Sequence, residues 1–218
     1  VDQYTDYAIY RVAAESRDPK VTVEFIELLQ QHNPKSEYVA KSQNQLFVAY
    51  RQAGANDKAL ALAEKTLATD QTNEDMLLVV TDSYAQSKKE PEKVHAYSAK
   101  LVDLMATKPK PEGVSDADWT ARKDLITGLA HYMSGKLYYS EAKWGQTDKE
   151  LRAALPLVGA NQAIKAESLY YLGFANYKMD KPQDAADFYR DCSNIKSPFQ
   201  ANAAKNLQGI KTQYRGIK

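Results

Sequence analysis

The sequence predicts an all-α fold in which helical hairpins stack one after another as a solenoid. The first observation is a repeat: Gly135 recurs as Gly173 and Tyr50 recurs as Tyr84, and the sequence distance between the two members of each pair is similar. Repeats of this length indicate stacked helical hairpins, each of which uses its neighbours to cover its apolar face. The second observation is composition, because only 9 glycines and 8 prolines occur in 218 residues, and residues that favour helices are plentiful.

The charge and hydropathy of the chain exclude several classes of function. Lys and Arg number 29 and Asp and Glu number 28, so no basic excess points to nucleic acid or to an anionic membrane surface. No apolar run approaches the roughly 20 residues that a membrane span needs. Cys192 is the only cysteine of the sequence, which excludes an intrachain disulfide. We interpret it as a small buried side chain, with a reactive thiol or an intermolecular bridge as the alternative.

The starts of several helices can be located from single residues. Pro19, Pro91 and Pro182 each follow a polar residue, and proline is favoured in the first helical turn because its missing N–H is not needed there. Asn56-Asp57 is expected to start another helix by side-chain capping. These positions alternate with runs that combine aromatic and small residues, so each is predicted to begin the second helix of a hairpin.

The motifs around these starts resemble the tetratricopeptide repeat (TPR). Residues 171–178, Tyr-Leu-Gly-Phe-Ala-Asn-Tyr-Lys, followed by residues 182–189, Pro-Gln-Asp-Ala-Ala-Asp-Phe-Tyr, are the best match. Residues 134–139 together with Trp144 look like a second copy. A third copy is similar at its tyrosine, glycine and alanine positions, which are Tyr50, Gly54, Ala59 and Ala63. The resemblance implies a right-handed α-solenoid of about five hairpins.

The same resemblance gives a domain organisation. It implies one superhelical domain over residues 1–218, with the repeat units at about 3–36, 40–73, 74–107, 128–161 and 166–199. Residues 116–127 are expected to extend the first helix of the fourth unit, because Ser115 can cap a helix that nothing interrupts before about Ala142. Residues 199–215 carry one apolar stripe on an otherwise polar helix, which predicts a C-terminal capping helix; an amphipathic membrane helix is the alternative.

No arrangement of residues predicts catalysis or metal binding. His32, His95 and His131 have no second ligand at metal spacing, and neither a nucleophile turn nor a phosphate loop occurs in the sequence. The carboxylate pairs Glu24/Glu27 and Asp184/Asp187 are expected on solvated helix faces. We therefore predict no catalytic residues, no metal and no cofactor.

The residues expected to bind a partner follow from the family resemblance. In this family the first helix of each hairpin lines a concave groove. Carried over to this sequence, the predicted groove residues are Tyr132, Lys136, Tyr139, Tyr170, Phe174, Tyr177 and Lys178, with Asn44 and Arg51 in the N-terminal half. Tyrosine favours interfaces because it combines apolar area with a hydroxyl group. The alternative is that these rings pack on one another or beneath the C-terminal helix.

The sequence therefore predicts a protein-interaction module that binds a peptide or protein partner in its groove. One alternative is an assembly subunit that docks through its convex face or its long helix, or a homodimer. An enzyme for a small ligand or a glycan is the least favoured alternative. The resemblance is to bacterial envelope or periplasmic repeat proteins, and the start at Val1 is compatible either with a removed signal segment or with a trimmed chain. A periplasmic or cell-envelope location is therefore expected over a cytoplasmic one, with the oligomeric state left open.

Overall fold

The computed structural model describes residues 2–217, and side chains from Tyr4 to Ile217. Within that range the chain forms α-helices and no β-strand, so the predicted all-α class is confirmed. The helices of the described chain are α1 Asp2–Glu15, α2 Pro19–His32, α3 Glu37–Lys41, α4 Gln43–Gln52, α5 Asn56–Leu67, α6 Glu74–Ser87, α7 Pro91–Thr107, α8 Asp116–Ser140, α9 Trp144–Val158, α10 Gln162–Lys178, α11 Pro182–Ser193 and α12 Gln200–Gln213.

The helix starts agree with most of the capping predictions. Helices α2, α7 and α11 each begin at a proline. Ser115 caps the long helix α8, because its hydroxyl oxygen accepts a hydrogen bond from the backbone N–H of Asp118. For α5 the predicted start is confirmed, but the predicted side-chain cap is wrong. That helix begins at Asn56 after an Ala55 cap and has no side-chain capping bond, so the asparagine lies one position too late to accept from the first free N–H groups.

Three turns between paired helices share one hydrogen-bond pattern. After α8, the backbone N–H groups of residues 141–143 donate to the carbonyls of residues 137, 139 and 138. The turn after α10 has the same pattern at residues 179–181, and the turn after α4 has it at residues 53–55. The middle residue of each turn has a positive φ: 74° at Gly54, 57° at Ala142 and 58° at Asp180. The sequence repeat is thus also a repeat of backbone geometry.

The chain divides into two compact units, the first ending at Val80 and the second beginning at Thr81, within α6. In the first unit α1 packs on α2, α2 on α4 and α4 on α5. Its core is built from fully buried apolar side chains, which include Ile26, Leu29, Leu46, Ala59, Ala63 and Leu67. Tyr50 is buried against them, and its hydroxyl donates to Glu27 Oε1 at 2.7 Å, which joins α4 to α2.

In the second unit each helix from α7 to α12 packs on the next. Two glycines set how closely paired helices approach. A Cβ atom at Gly135 would lie 2.6 Å from the side chain of Leu151, and one at Gly173 would lie 2.7 Å from the ring of Tyr189. These two repeated glycines therefore mark close contacts between paired helices. The approach brings α8 against α9 and α10 against α11, and it leaves the α8 and α10 side chains that face away from these partners for other contacts.

The C-terminal helix α12 covers the apolar face of α11. Ala203 and Ile210 are buried in a cluster with Ala185, Tyr189 and Cys192, and Phe199, Leu207 and Tyr214 pack around it. Phe199, Ala203, Leu207, Ile210 and Tyr214 form the apolar stripe that was predicted within residues 199–215. Burial raises the pKa of the Cys192 thiol to about 11, so the structure supports the buried interpretation of this cysteine over the reactive one.

Candidate functional site

The predicted groove residues of the second unit lie on α8 and α10, which contact each other. A carboxylate that the sequence did not single out organises them. Glu167 on α10 accepts hydrogen bonds from the hydroxyl groups of Tyr132 and Tyr171, the latter at 2.7 Å, and its Oε1 lies 2.9 Å from Lys136 Nζ. One acidic side chain therefore fixes two tyrosines and a lysine across two helices.

The hydrogen bonds around Glu167 decide its ionisation. Burial alone would raise the pKa of this carboxyl group, but the hydrogen bonds from Tyr132, Lys136 and Tyr171 outweigh burial and lower the pKa below its ordinary value. The pKa values of both tyrosines are raised, first by burial and then by the hydrogen bond to Glu167. At neutral pH the centre of the network is thus a carboxylate paired with one ammonium group and two neutral phenols.

Aromatic rings continue this network toward the C-terminal end of α8. Tyr139 stacks on Tyr171 with ring centroids 4.0 Å apart, and Phe174 meets Tyr139 edge-on at 5.5 Å. Trp144 at the start of α9 closes the group, 5.4 Å from Phe174 and 5.8 Å from Tyr139. Edge-to-face and offset contacts of this kind are the favourable arrangements of aromatic rings.

We call this surface the α8–α10 face. It consists of half-buried side chains that surround the Glu167 network and the adjoining rings, namely Tyr132, Lys136, Tyr139, Trp144, Glu167, Tyr171 and Phe174. Each ring is held by another ring or by a hydrogen bond and keeps part of its surface in solvent. The arrangement offers fixed apolar area beside one cation and one anion, which suits non-covalent binding of an extended chain.

Tyr170 lies elsewhere than the prediction placed it. Its ring contacts Tyr189 at 5.7 Å and Phe199 at 5.2 Å, so it packs toward α11 and the chain before α12, as the packing alternative describes. The reason is rotation along the helix, since consecutive residues are about 100° apart. Tyr171 takes the position beside Tyr139 instead. The residue of α10 that lies beside Tyr139 is therefore Tyr171 and not the predicted Tyr170.

Two other predicted residues lie at the edge of this region. Tyr177 is 37% exposed, and its hydroxyl group donates to Gln213 Oε1 on α12 at 3.2 Å. Lys178 is exposed, with its ammonium group 5.3 Å from the centre of the Phe174 ring. Both side chains are accessible from solvent, which a contact with a partner requires.

The predicted residues of the first unit lie on α4 and do not form a comparable cluster there. Asn44 accepts a hydrogen bond from Asn73 Nδ2 at 2.9 Å, and Arg51 is exposed. The two positions are two helical turns apart, which places both on one side of the helix. Their role in binding stays a prediction.

A polar cleft between α7, α8 and α9 was missed by sequence reasoning. His95 Nδ1 lies 2.9 Å from Ser134 Oγ and Nε2 lies 3.4 Å from Glu141 Oε2, and His131 Nδ1 lies 2.7 Å from Glu150 Oε2. Both histidines line a cavity of about 220 Å³. The partners of each contact are far apart in the sequence, so no local spacing could have indicated them.

The serine, histidine and glutamate of this cleft are residue types used in nucleophilic catalysis, but the backbone does not supply the rest. Ser134 is 5% exposed inside α8. The backbone N–H groups beside Ser134 in the helix interior bond to carbonyls of the preceding turn, so they are not available to stabilise an oxyanion. We interpret the cleft as polar cross-links between three helices.

Two further properties concern the described residues as a whole. Among residues 2–217 no three histidine, cysteine or carboxylate side chains come close enough to hold a metal ion. None of the described helices is long and apolar enough to cross a membrane.

Comparison with known proteins finds a similar solved structure but no family. No protein-family model matches the sequence, and no curated protein matches it. The chain is similar to the crystal structure of a thermophilic TPR protein of Thermus thermophilus at 13% sequence identity and a TM-score of 0.39, over 97% of this chain and 100% of that one. Stacked helical hairpins are in general typical of protein-binding modules.

Proposed function

We propose that this protein is an interaction module that binds a peptide segment of a protein partner on the α8–α10 face and has no catalytic role. The observation that carries the proposal is the Glu167 network with its stacked rings. Glu167 holds Tyr132 and Lys136 of α8 against Tyr171 of α10. Side chains already fixed in place lose little conformational entropy when a ligand binds.

The aromatic group beside the network supports the same proposal. Tyr139, Trp144 and Phe174 are half-buried and in mutual contact. Tyrosine and tryptophan are enriched among the residues that dominate interface energies, because they combine large area with a polar group at low entropy cost. A peptide that places one apolar side chain on these rings could also donate to Glu167 and accept from Lys136.

The test begins with selection of a displayed random-peptide library on the immobilised protein. Selected peptides are then labelled and their affinities measured by fluorescence anisotropy. Tyr139→Ala should weaken binding by on the order of 2 kcal/mol, since rings near an interface centre carry most of its energy. Tyr97→Ala is the matched control, because Tyr97 is a half-buried tyrosine on α7, outside the α8–α10 face.

Circular dichroism of both variants must show that helix content is retained. If selected peptides bind both tyrosine variants equally well, the α8–α10 face is not the binding surface. If selection yields no peptide that binds, the proposal of a peptide-binding module is rejected.

A second candidate is an assembly subunit that docks through the first half of α8. One observation favours it: Leu125 is 52% exposed on that half of the helix. Light scattering of the wild-type protein and of Leu125→Glu tests this possibility. A dimer that the glutamate variant converts to a monomer would support assembly through α8, and a monomer at all concentrations would exclude self-assembly. The envelope location implied by the resemblance also stays a proposal, which cell fractionation would test.

A further inference from the structure

A cleft separates α10 from the C-terminal helix α12. Its volume is about 320 Å³, at the lower end of the roughly 300–1,000 Å³ typical of ligand-binding pockets. Its lining is mostly apolar, with side chains from both helices and from α11 that include Phe174, Tyr177, Tyr189, Lys205 and Ile210. Phe174 is shared with the α8–α10 face, so the two surfaces are continuous.

A glycine forms part of the wall of this cleft. Gly209 lies on α12 among the lining residues. A Cβ atom built there would meet no other atom within 4 Å. Unlike Gly135 and Gly173, this glycine is therefore not required by helix packing. Its missing side chain leaves room in the cleft that one apolar side chain of another molecule can fill.

Basic side chains are concentrated in the C-terminal segment of the chain, which includes α12. From Cys192 to Lys218 the sequence holds five basic side chains and no acidic one, whereas residues 1–191 hold 24 basic and 28 acidic side chains. Helix α12 contributes Lys205 and Lys211, and both are exposed. The C-terminal segment is thus the basic part of a protein whose formal net charge is +1.

Two lysines lie at or beside the cleft. Lys205 is one of its lining residues, and Lys178 lies over the ring of Phe174. Neither lysine forms an ion pair with a carboxylate among the described residues. Asp180 follows Lys178 closely in the chain, and it accepts a hydrogen bond from the Tyr214 hydroxyl at 3.5 Å. The wall formed by α12 is therefore free to attract an anion.

We propose that the cleft between α10 and α12 binds an acidic peptide segment through one apolar anchor side chain. The anchor enters beside Gly209 and contacts Phe174 and Tyr177. Carboxylates that flank the anchor pair with Lys178 and Lys205. The inference rests on the proposed function in one respect, because both require a peptide partner, but it names a different set of residues and the charge of the ligand.

The test uses a fluorescein-labelled synthetic peptide with a central phenylalanine flanked on both sides by glutamates. Gly209→Leu fills the cleft and should weaken binding at least about tenfold. Gly145→Leu is the matched control, since Gly145 is also helical and a Cβ atom there also meets nothing within 4 Å. Both leucine variants should melt at or above the wild-type temperature, because leucine favours a helix over glycine.

The charge component is measured separately. Affinity of the peptide should fall as salt rises, and the double variant Lys178→Gln with Lys205→Gln should bind more weakly and show a smaller salt dependence. A peptide with glutamines in place of the glutamates tests the charge, and one with serine in place of phenylalanine tests the anchor. Each peptide should bind several-fold more weakly than the acidic phenylalanine peptide.

The possible outcomes separate this inference from the proposed function. Equal binding of the acidic peptide to wild type and Gly209→Leu would overturn the inference, as would no binding at all. If Tyr139→Ala still weakens the binding of library-selected peptides in either case, the proposed function holds and only the further inference fails. If the acidic peptide binds and depends on Gly209 while no peptide depends on Tyr139, the cleft replaces the α8–α10 face as the binding site.

Discussion

The ring of Tyr139 on α8 lies on the ring of Tyr171 on α10, with centroids 4.0 Å apart and planes 20° from parallel. Tyr171 is also tied to Glu167, one turn earlier on the same helix. The side of α10 that faces α8 therefore carries Glu167, Tyr171 and Phe174 at the spacing of successive helical turns. Tyr170 is adjacent to this row in sequence but contacts Tyr189 and Phe199. Neighbouring positions of α10 therefore differ in role: one side can meet a partner and the other helps to hold α12.

Tyr170→Ala is expected to lower the free energy of unfolding by about 2–4 kcal/mol, because it removes a ring packed on Tyr189 and Phe199. The measurement is urea unfolding followed by circular dichroism. Tyr177→Ala is the control, since that ring is 37% exposed and its loss should cost less than about 1 kcal/mol. Equal stability of the two variants would mean that Tyr170 is not part of the α11–α12 packing.

Gly173→Leu is expected to destabilise the second unit by about 1–3 kcal/mol or more, because the added side chain would overlap the ring of Tyr189. Differential scanning calorimetry gives the loss. Gly145→Leu serves as the control, as it adds the same side chain in open space. A melting temperature for Gly173→Leu as high as that of the control would show that α10 and α11 can separate at little cost.

Ala142→Gly is expected to raise the free energy of unfolding by about 0.5–1 kcal/mol. Ala142 has a φ of 57°, which an L-residue adopts only with strain that exceeds the extra chain entropy of glycine. The reverse change, Gly54→Ala at the equivalent turn, should cost about 1 kcal/mol. A Cβ atom at Gly54 meets nothing within 4 Å and the side chain of Ala142 is exposed, so both changes report mainly on the backbone. Effects of the same sign in the two unfolding curves would contradict this explanation.

Glu167→Gln is expected to lower stability by about 2 kcal/mol at neutral pH, because a charged acceptor of three hydrogen bonds becomes neutral. The pKa of Glu167 is lower in the folded protein than its ordinary value of 4.5. Its stabilisation is therefore complete above that ordinary value and is lost as the pH falls through the lower, folded value. Urea unfolding of both proteins from neutral to acidic pH should show the two stabilities converging in acid. A constant difference would mean that the ionisation of Glu167 does not contribute.

The features predicted correctly from sequence are those with local causes. Proline in a first helical turn and a serine shortly before an aspartate each act within one turn of helix, so Pro182 and Ser115 mark helix starts without knowledge of the fold. The close helix contacts at Gly135 and Gly173 could be predicted, because a glycine that recurs at a fixed repeat position has few explanations other than close packing. The all-α class follows from the sum of these local signals.

The features that sequence missed depend on tertiary contacts. Periodicity identified aromatic residues on α10 but not how that helix is rotated about its axis. Tyr170 and Tyr171 are consecutive residues, so they point in directions about 100° apart and only one of them can face α8. Glu167 gave no signal, because its importance comes from Tyr132 and Lys136 on another helix. His95 and Glu141 are distant in the sequence and meet only after α7 and α8 pack.

The shared turn geometry has a consequence for how such a chain can change in length. Ala142 and Asp180 occupy equivalent points of two turns with the same hydrogen bonds. A segment cut at these points begins and ends in the same backbone conformation. In-frame duplication or loss of residues 143–180 would therefore join turn to turn without a new loop. Gain or loss of a whole hairpin by an in-frame change in the gene would therefore disturb the backbone little. The packing of side chains at the new junction would determine whether the product folds.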